Sequence, residues 1–191
     1  MLCQAAEQRW GSGYVRALGV FWSGQPRLPW RRLLPAVAGI ALLVALLGLV
    51  GRADDHIALF LGFAPSCLLV FVLPEAPVSQ PAAVIGGSVV SAVVGVIAAY
   101  TLPFTWWSAA LAAAVATVAM AALRIIHPPA VAVAVIALST GADWMFLLLP
   151  ALAAPVLIVV TALVWHRLSG IRYPAPGMLG SGRVERHPRE D

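Results

Sequence analysis

The stretch 76–142 is almost free of charge, and its one charged side chain is that of Arg124. His127 follows three residues later, and Pro128 and Pro129 then interrupt the helical pattern. In a lipid bilayer, an arginine, an imidazole and a broken helix are costly unless protein or water surrounds them. The chain therefore has to fold so that its other apolar segments shield this point.

The composition indicates an integral membrane protein. Of the 191 residues, 61% are hydrophobic and 10% are charged, whereas soluble domains carry about 25% charged residues. Every basic residue is an arginine, and most of the arginines lie near the two ends of the chain. This distribution predicts cytoplasmic termini and an even number of crossings. We expect a multi-pass protein of the cell (inner) membrane, with the lipid bilayer as its partner and no nucleic acid bound.

Six apolar runs predict an all-α, polytopic membrane helix bundle. The runs are 33–51, 57–73, 82–101, 106–126, 130–140 and 144–165, the last with kinks at Pro150 and Pro155. Four of these runs are predicted full spans, and the runs 57–73 and 130–140 are short and interrupted by proline. The run 130–140 reaches about 16 Å as a helix, against a hydrocarbon core of about 30 Å. It is therefore a half-helix, a re-entrant segment or a buried short helix.

The order of the runs suggests two similar halves. Each half has a long run, a short run with a proline near its start and another long run, and Pro65 and Pro128 lie at matching places. Three crossings in each half would form a 3+3 inverted repeat. Short, proline-interrupted segments at corresponding places in two halves are an indication of a transport site.

The predicted transmembrane helical domain covers residues 33–168. Residues 1–32 are predicted to form a cytoplasmic amphipathic and basic arm, either as a short helix on the inner leaflet or as a partly ordered leader. Residues 169–191 are rich in glycine, proline and charge, which predicts a flexible cytoplasmic tail. The polar residues at 52–56 are interpreted as a solvated loop with a local ion pair, in preference to a metal site formed by Asp54, Asp55 and His56.

Arg124 and His127 define a candidate anion site. They occupy neighbouring positions of one helical turn, and Pro128-Pro129 favours the start of the next helix. Helix N-termini carry partial positive charge and free N–H donors. These features favour a small anion, or a proton-coupled step at His127. The alternative is that Arg124 extends to the cytoplasmic headgroups and His127 only caps a tight turn.

Two further sets of residues accompany this pair. Ser66 and Gln80 are candidates to add hydrogen-bond donors from the first half of the chain, and the alternative for each is a structural role. The candidate binding or gating residues are Arg124, His127, Pro128, Pro129, Pro65, Ser66, Gln80 and Pro81.

The second set recurs every four residues in the third run and comprises Ala83, Gly87, Ser91 and Gly95. Small residues at this spacing let another helix backbone approach closely, so we interpret the second set as a helix-packing stripe.

Several short motifs, in the same order, resemble those of the HPP family of integral membrane proteins. They are Gly62-Phe63-Ala64-Pro65-Ser66, Pro77-Val78-Ser79-Gln80-Pro81 followed by Ile85-Gly86-Gly87, His127-Pro128-Pro129-Ala130, Leu147-Leu148-Leu149-Pro150 and Tyr173-Pro174. The resemblance covers roughly residues 33–176. The chain departs from the family pattern at Val131, where glycine is usual, at Pro65, and at Ala82-Ala83, where an arginine is usual.

This resemblance implies four membrane-spanning helices and a transport role. Plant chloroplast members of the family are linked to nitrite transport, so the implied substrate is nitrite or a similar small anion.

From the residues and the resemblance together we predict a transporter or channel for a small anion. The alternative is a structural or accessory membrane subunit that has no transport activity and packs through the small-residue stripe. The membrane core contains no Ser/His/Asp set, paired carboxylates or ligand cluster, so we expect no enzyme activity, metal site or cofactor. A single copy offers little room for a pore, which favours a homo-oligomer.

Overall fold

The structure is a computed structural model that describes residues 29–53 and 62–175. The helices are α1 (Trp30–Ala53), α2 (Ala64–Val72), α3 (Pro81–Thr101), α4 (Trp106–Ala122), α5 (Ala130–Thr140), α6 (Met145–Leu148) and α7 (Ala153–Leu168), with a 3₁₀ turn at Pro77–Ser79. Every regular element in these ranges is helical, which confirms the all-α prediction. The chain divides between Leu34 and Pro35 into two units, and all tertiary contacts discussed below lie within the second.

Within residues 29–53 and 62–175, three helical stretches are long and apolar enough to cross a membrane. They are Trp30–Arg52, Pro81–Thr101 and Met145–Leu168, the last of which includes α6 and α7. The apolar helices α4 and α5 are shorter, with 17 and 11 residues. Because α4 ends at Ala122 rather than at Ile126, one of the four predicted full spans is shorter than expected. The number of crossings and the inverted repeat remain predictions.

Prolines set the starts of the two short helices. α5 occupies the predicted residues, and Pro129 is its N-cap. α2 begins at Ala64, with Pro65 in its first turn. Proline is tolerated at such positions because its missing N–H has no helical partner to lose. The short run that was expected from residue 57 thus contains a helix of only nine residues among those described.

The last apolar run differs from its prediction at Pro155. This proline was expected to kink a continuous helix, but it lies in the first turn of α7, where it does not interrupt any helical hydrogen bond. The interruption falls earlier, between Leu148 and Ala153, and includes Pro150.

Several predictions fall outside the described residues. They concern most of the N-terminal arm, the polar loop from residue 54 onward, the first residues of the run 57–73 and the tail beyond residue 175.

α3 is the most buried of the three candidate spans. The buried share is 50% for α3, 39% for Met145–Leu168 and 22% for Trp30–Arg52. α3 contacts α4 and α5, and it also contacts α6 and α7. A buried apolar cluster joins Leu43 and Leu47 of α1, Phe71 of α2 and Ile158 of α7. The loop that carries His127 packs against α3 at Gly87, in the first half of this helix.

Candidate functional site

His127 is completely buried, with an exposed fraction of 0%, in the loop that joins α4 to α5. Its Nδ1 atom lies 2.7 Å from the carbonyl oxygen of Val78 in the 3₁₀ turn. Its Nε2 atom lies 2.9 Å from Oγ of Ser66 in the first turn of α2. One imidazole therefore connects three segments that are far apart in the sequence.

The partners of the two ring nitrogens indicate which nitrogen of His127 carries the proton. A carbonyl oxygen can only accept, so Nδ1 of His127 carries the proton and donates it to Val78. In the neutral ring Nε2 is then an acceptor, and the hydroxyl of Ser66 donates to it. Burial lowers the pKa of His127, which lies outside the helices, and the bond to Val78 opposes this shift. The neutral tautomer satisfies both nitrogens.

The junction formed by Ser66 and His127 brings the starting ends of two short helices together. Ser66 lies in the first turn of α2, and α5 begins three residues after His127. The first N–H groups of α5 are already bonded within the turn, from Ala130 to the carbonyl of His127 at 2.9 Å and from Val131 to that of Pro128 at 3.2 Å. In this conformation these donors are not directed at a ligand.

Arg124 and His127 differ in their exposure to the surroundings of the protein. Its side chain is exposed, whereas that of His127 is fully buried. The structure therefore brings His127 together with Ser66 and leaves Arg124 outside the junction.

Arg124 also terminates α4 in an unusual way. Its φ is 58°, in the left-handed region that glycine favours. The N–H of Ile125 bonds to the carbonyl of Met120 at 3.0 Å, and that of Arg124 to the carbonyl of Ala121 at 3.1 Å, which is the Schellman arrangement. The sequence has no glycine at this position to signal the end of a helix, so the predicted run continued to Ile126, beyond the end of α4 at Ala122.

The same arrangement ends two other helices, each with glycine at the left-handed position. Gly141, with φ 61°, follows α5, and Gly170, with φ 69°, follows α7. The left-handed conformation costs an L-residue with a side chain about 1–2 kcal/mol. Arg124 thus bears a backbone strain that its two counterparts avoid, and such strain is concentrated at functional sites in proteins.

We expect Arg124→Gly to be about 1 kcal/mol more stable than Arg124→Gln, because both variants lose the charge and only glycine removes the strain. The measurement is the free energy of unfolding of the two purified variants in the same detergent micelles. Equal stabilities would contradict the left-handed conformation at this position.

The remaining predicted binding or gating residues bond to backbone groups or lie at the starts of helices. The Nε2 group of Gln80 donates to the carbonyls of Pro74 and Ala76, both at 3.0 Å, and its Oε1 accepts from the N–H of Ala175 at 3.0 Å. Pro81 is in the first turn of α3. Pro128, like Pro129, lies in the turn that leads into α5. Gln80 is therefore close in sequence to Val78 but does not contact the imidazole through a hydrogen bond.

The residues of the predicted stripe all lie on the buried side of α3. They are Ala83, Gly87, Ser91 and Gly95. A Cβ atom built on Gly87 would lie 2.9 Å from Cβ of His127. Oγ of Ser91 lies 3.6 Å from Sδ of Met120. The stripe thus contacts the end of α4, the His127 loop and α5, and it fixes how closely the loop approaches α3.

The polar contacts of the 3₁₀ turn include residues that sequence reasoning did not select. Oγ of Ser79 donates to the carbonyl of Leu69 at 3.1 Å, and the hydroxyl of Tyr173 donates to the carbonyl of Ser79 at 2.9 Å. Burial raises the pKa of Tyr173, which follows α7. Tyr173-Pro174 appeared among the family motifs, and that motif was the available signal for this contact.

A family model described as "HPP, transmembrane region" matches residues 25–174 of the chain. The chain belongs to the HPP family. It is an integral membrane protein of that family, and the His127-Pro128-Pro129 motif lies in the loop that joins α4 to α5. Two curated relatives of this HPP protein come from Dictyostelium discoideum, and both are named only as transmembrane proteins.

The first relative is 31% identical over 170 residues, which cover 80% of this HPP protein and 55% of the relative. The second is 30% identical over 151 residues, which cover 74% and 53%. The HPP chain thus spans about half the length of these curated relatives. No solved structure matches it.

The described residues of this HPP protein contain no group of three or more His, Cys, Asp or Glu side chains that is placed to hold a metal ion. What the junction can do chemically is to hold three segments by two hydrogen bonds, or to release them.

Proposed function

We propose that this HPP protein carries a small anion across the membrane and that the anion passes at the junction of Ser66 and His127. The observation that carries the proposal is that two short helices, α2 and α5, meet there at their starting ends. In many transporters, the N-termini of discontinuous helices provide the positive end of the helix dipole at the substrate site. The short length of α5, 11 residues, fits a discontinuous helix better than a full span.

The described conformation corresponds to a closed state in this proposal. His127 has no exposed surface, and the first donors of α5 are used within their own turn. Passage requires the bond between Ser66 and His127 to break, which frees the hydroxyl and the imidazole as polar groups for the anion. Arg124 is exposed just after the end of α4, three residues before His127. In this proposal its charge attracts anions toward the junction, since local positive charge raises association rates by about 10–1,000-fold.

Nitrite, or an anion of similar size and charge, is the proposed substrate class. We further propose that the protein is a homo-oligomer in the cell membrane, since a single copy offers little room for a pore. Both termini are proposed to be cytoplasmic, in line with the positions of the arginines. The support for the substrate is the resemblance to plant members of the family that are linked to nitrite transport.

The test is anion flux into liposomes that contain the purified protein, with nitrite, nitrate and chloride supplied separately. Wild type is expected to exceed empty liposomes for nitrite. Arg124→Gln and Arg124→Gly are both expected to lower the flux by about tenfold, because the attracting charge is lost in each. Since the glycine variant relieves strain, its loss of flux cannot be attributed to unfolding.

A matched pair of histidine variants tests the junction. His127→Asn retains a donor for the carbonyl of Val78 but cannot reach Ser66 in the same way, and it is expected to change the flux. His166→Asn is the control, since His166 is another buried histidine, with Nε2 3.1 Å from the carbonyl of Val70. Equal flux in wild type and in the variants of Arg124 and His127 would remove the site assignment.

The second candidate function is a structural or accessory membrane subunit. The observation that favours it is the sealing of the junction, since both nitrogens of His127 have partners and no surface is exposed. An absence of flux for every small anion in wild-type liposomes would favour this function over transport.

A further inference from the structure

A pocket of about 650 Å³ lies at the C-terminal end of α7, and neither Ser66 nor His127 lines it. Leu163 and Val164 line it from the helix, and Ile171, Tyr173 and Pro174 line it from the segment that returns after Gly170. Its volume is in the range of small-molecule sites, roughly 300–1,000 Å³. The wall is therefore largely apolar and is built by a helix and its own returning chain.

Two arginines supply the charge of this pocket. Arg167, in the last turn of α7, and Arg172, in the returning segment, both line it. The sequence 163–175 contains no acidic residue. The negative end of the helix dipole at the C-terminus of α7 stabilises cations there and disfavours a free anion that touches the helix end itself. The positive charge available in this pocket is therefore that of the two guanidinium groups.

We propose that this pocket binds an anionic phospholipid of the leaflet at this end of α7. The two guanidinium groups contact the phosphate, for which their planar donors are well suited, and the apolar wall contacts the first part of the acyl chains. Basic pockets at the ends of membrane helices bind lipid headgroups in this manner. A free inorganic anion would use the arginines but not the apolar wall, so the composition of the pocket favours the lipid.

Lipid bound here would act on a segment that is anchored to the 3₁₀ turn. The hydroxyl of Tyr173 donates to the carbonyl of Ser79, and the N–H of Ala175 donates to Oε1 of Gln80. Val78, in the same turn, accepts the hydrogen bond of His127. The lipid therefore stabilises the returning segment and, through it, the turn that holds the junction closed.

The experiment compares the full chain in nanodiscs of phosphatidylcholine with nanodiscs that also contain phosphatidylglycerol. The measurements are the number of lipids retained in native mass spectrometry and the thermal unfolding midpoint. Phosphatidylglycerol is expected to be retained and to raise the midpoint of wild type. In Arg167→Gln/Arg172→Gln its apparent affinity is expected to fall by about tenfold or more, as for the loss of charge-assisted hydrogen bonds.

Arg52→Gln is the matched control, because Arg52 is exposed at the end of α1 and does not line the pocket. This variant is expected to retain the lipid as wild type does. Equal retention in wild type and the double variant overturns the proposal. The proposal is also overturned, in favour of a free-anion site, if inorganic phosphate in neutral detergent raises the unfolding midpoint of wild type as much as phosphatidylglycerol does. None of these measurements involves flux, so their outcome is independent of the proposed transport.

Discussion

Gly95→Ala is expected to destabilise the protein by about 2 kcal/mol, because the added methyl group has no space between α3 and α5. A Cβ atom at this position would overlap the carbonyl oxygen of Ala134 and lie 2.7 Å from Cβ of Ala137. The overlapping atom belongs to the backbone of α5, so relief requires the two helices to move apart. The helix propensity of alanine, which exceeds that of glycine by about 1 kcal/mol, offsets only part of this cost.

Gly86→Ala is the matched control on the same helix. The nearest atom to a Cβ built on Gly86 is Cδ1 of Ile125 at 3.1 Å, which is the far end of a flexible side chain. We therefore expect this variant to be as stable as wild type or more stable. The measurement is the free energy of unfolding in mixed detergent micelles for both variants. A Gly95 variant as stable as the Gly86 variant would show that α3 and α5 do not approach as described.

His127→Ala is expected to destabilise the protein by about 3 kcal/mol, since it removes two hydrogen bonds and leaves a cavity. The hydroxyl of Ser66, which is buried, would lose its partner on the ring, and the carbonyl of Val78 would lose its donor. His127→Asn is expected to recover part of the loss, because the asparagine amide can still donate to Val78. Thermal unfolding in micelles compares the three proteins directly.

A double-mutant cycle with Ser66→Ala isolates the bond across the junction. Interhelical hydrogen bonds in membrane proteins contribute about 0.6 kcal/mol on average and up to about 1.7 kcal/mol. We expect the coupling between Ser66 and His127 to lie in the upper part of this range, because both side chains are fully enclosed. Additive effects of the two single variants would mean that the bond contributes nothing to stability.

Much of the helix pattern of this protein follows from local chemistry. An uncharged run long enough to cross a bilayer forms a helix because its backbone groups need partners within the segment. Prolines then set the starts of α2 and α5, since Pro65 and Pro129 occupy positions where a backbone N–H has no helical partner. The predicted bounds of α5 are confirmed for the same reason.

The end of α4 shows where local reasoning fails. Arg124 is an ordinary helix former, and nothing in its identity predicts a positive φ. Its conformation depends on the path that the chain takes afterwards into the His127 loop. Sequence reasoning therefore placed Arg124 and His127 on one helical turn, whereas the structure separates an exposed guanidinium from a buried imidazole.

The sequence alone determined that this protein is an all-α membrane bundle of the HPP family, because hydropathy, proline positions and short motifs are local properties. Only the tertiary structure decided which polar groups meet. The partners of His127 are Ser66 and the carbonyl of Val78, and they lie in segments that are distant in the chain. Such pairings depend on how closely the helices approach, which is set where Gly87 and Gly95 let the His127 loop and α5 reach α3.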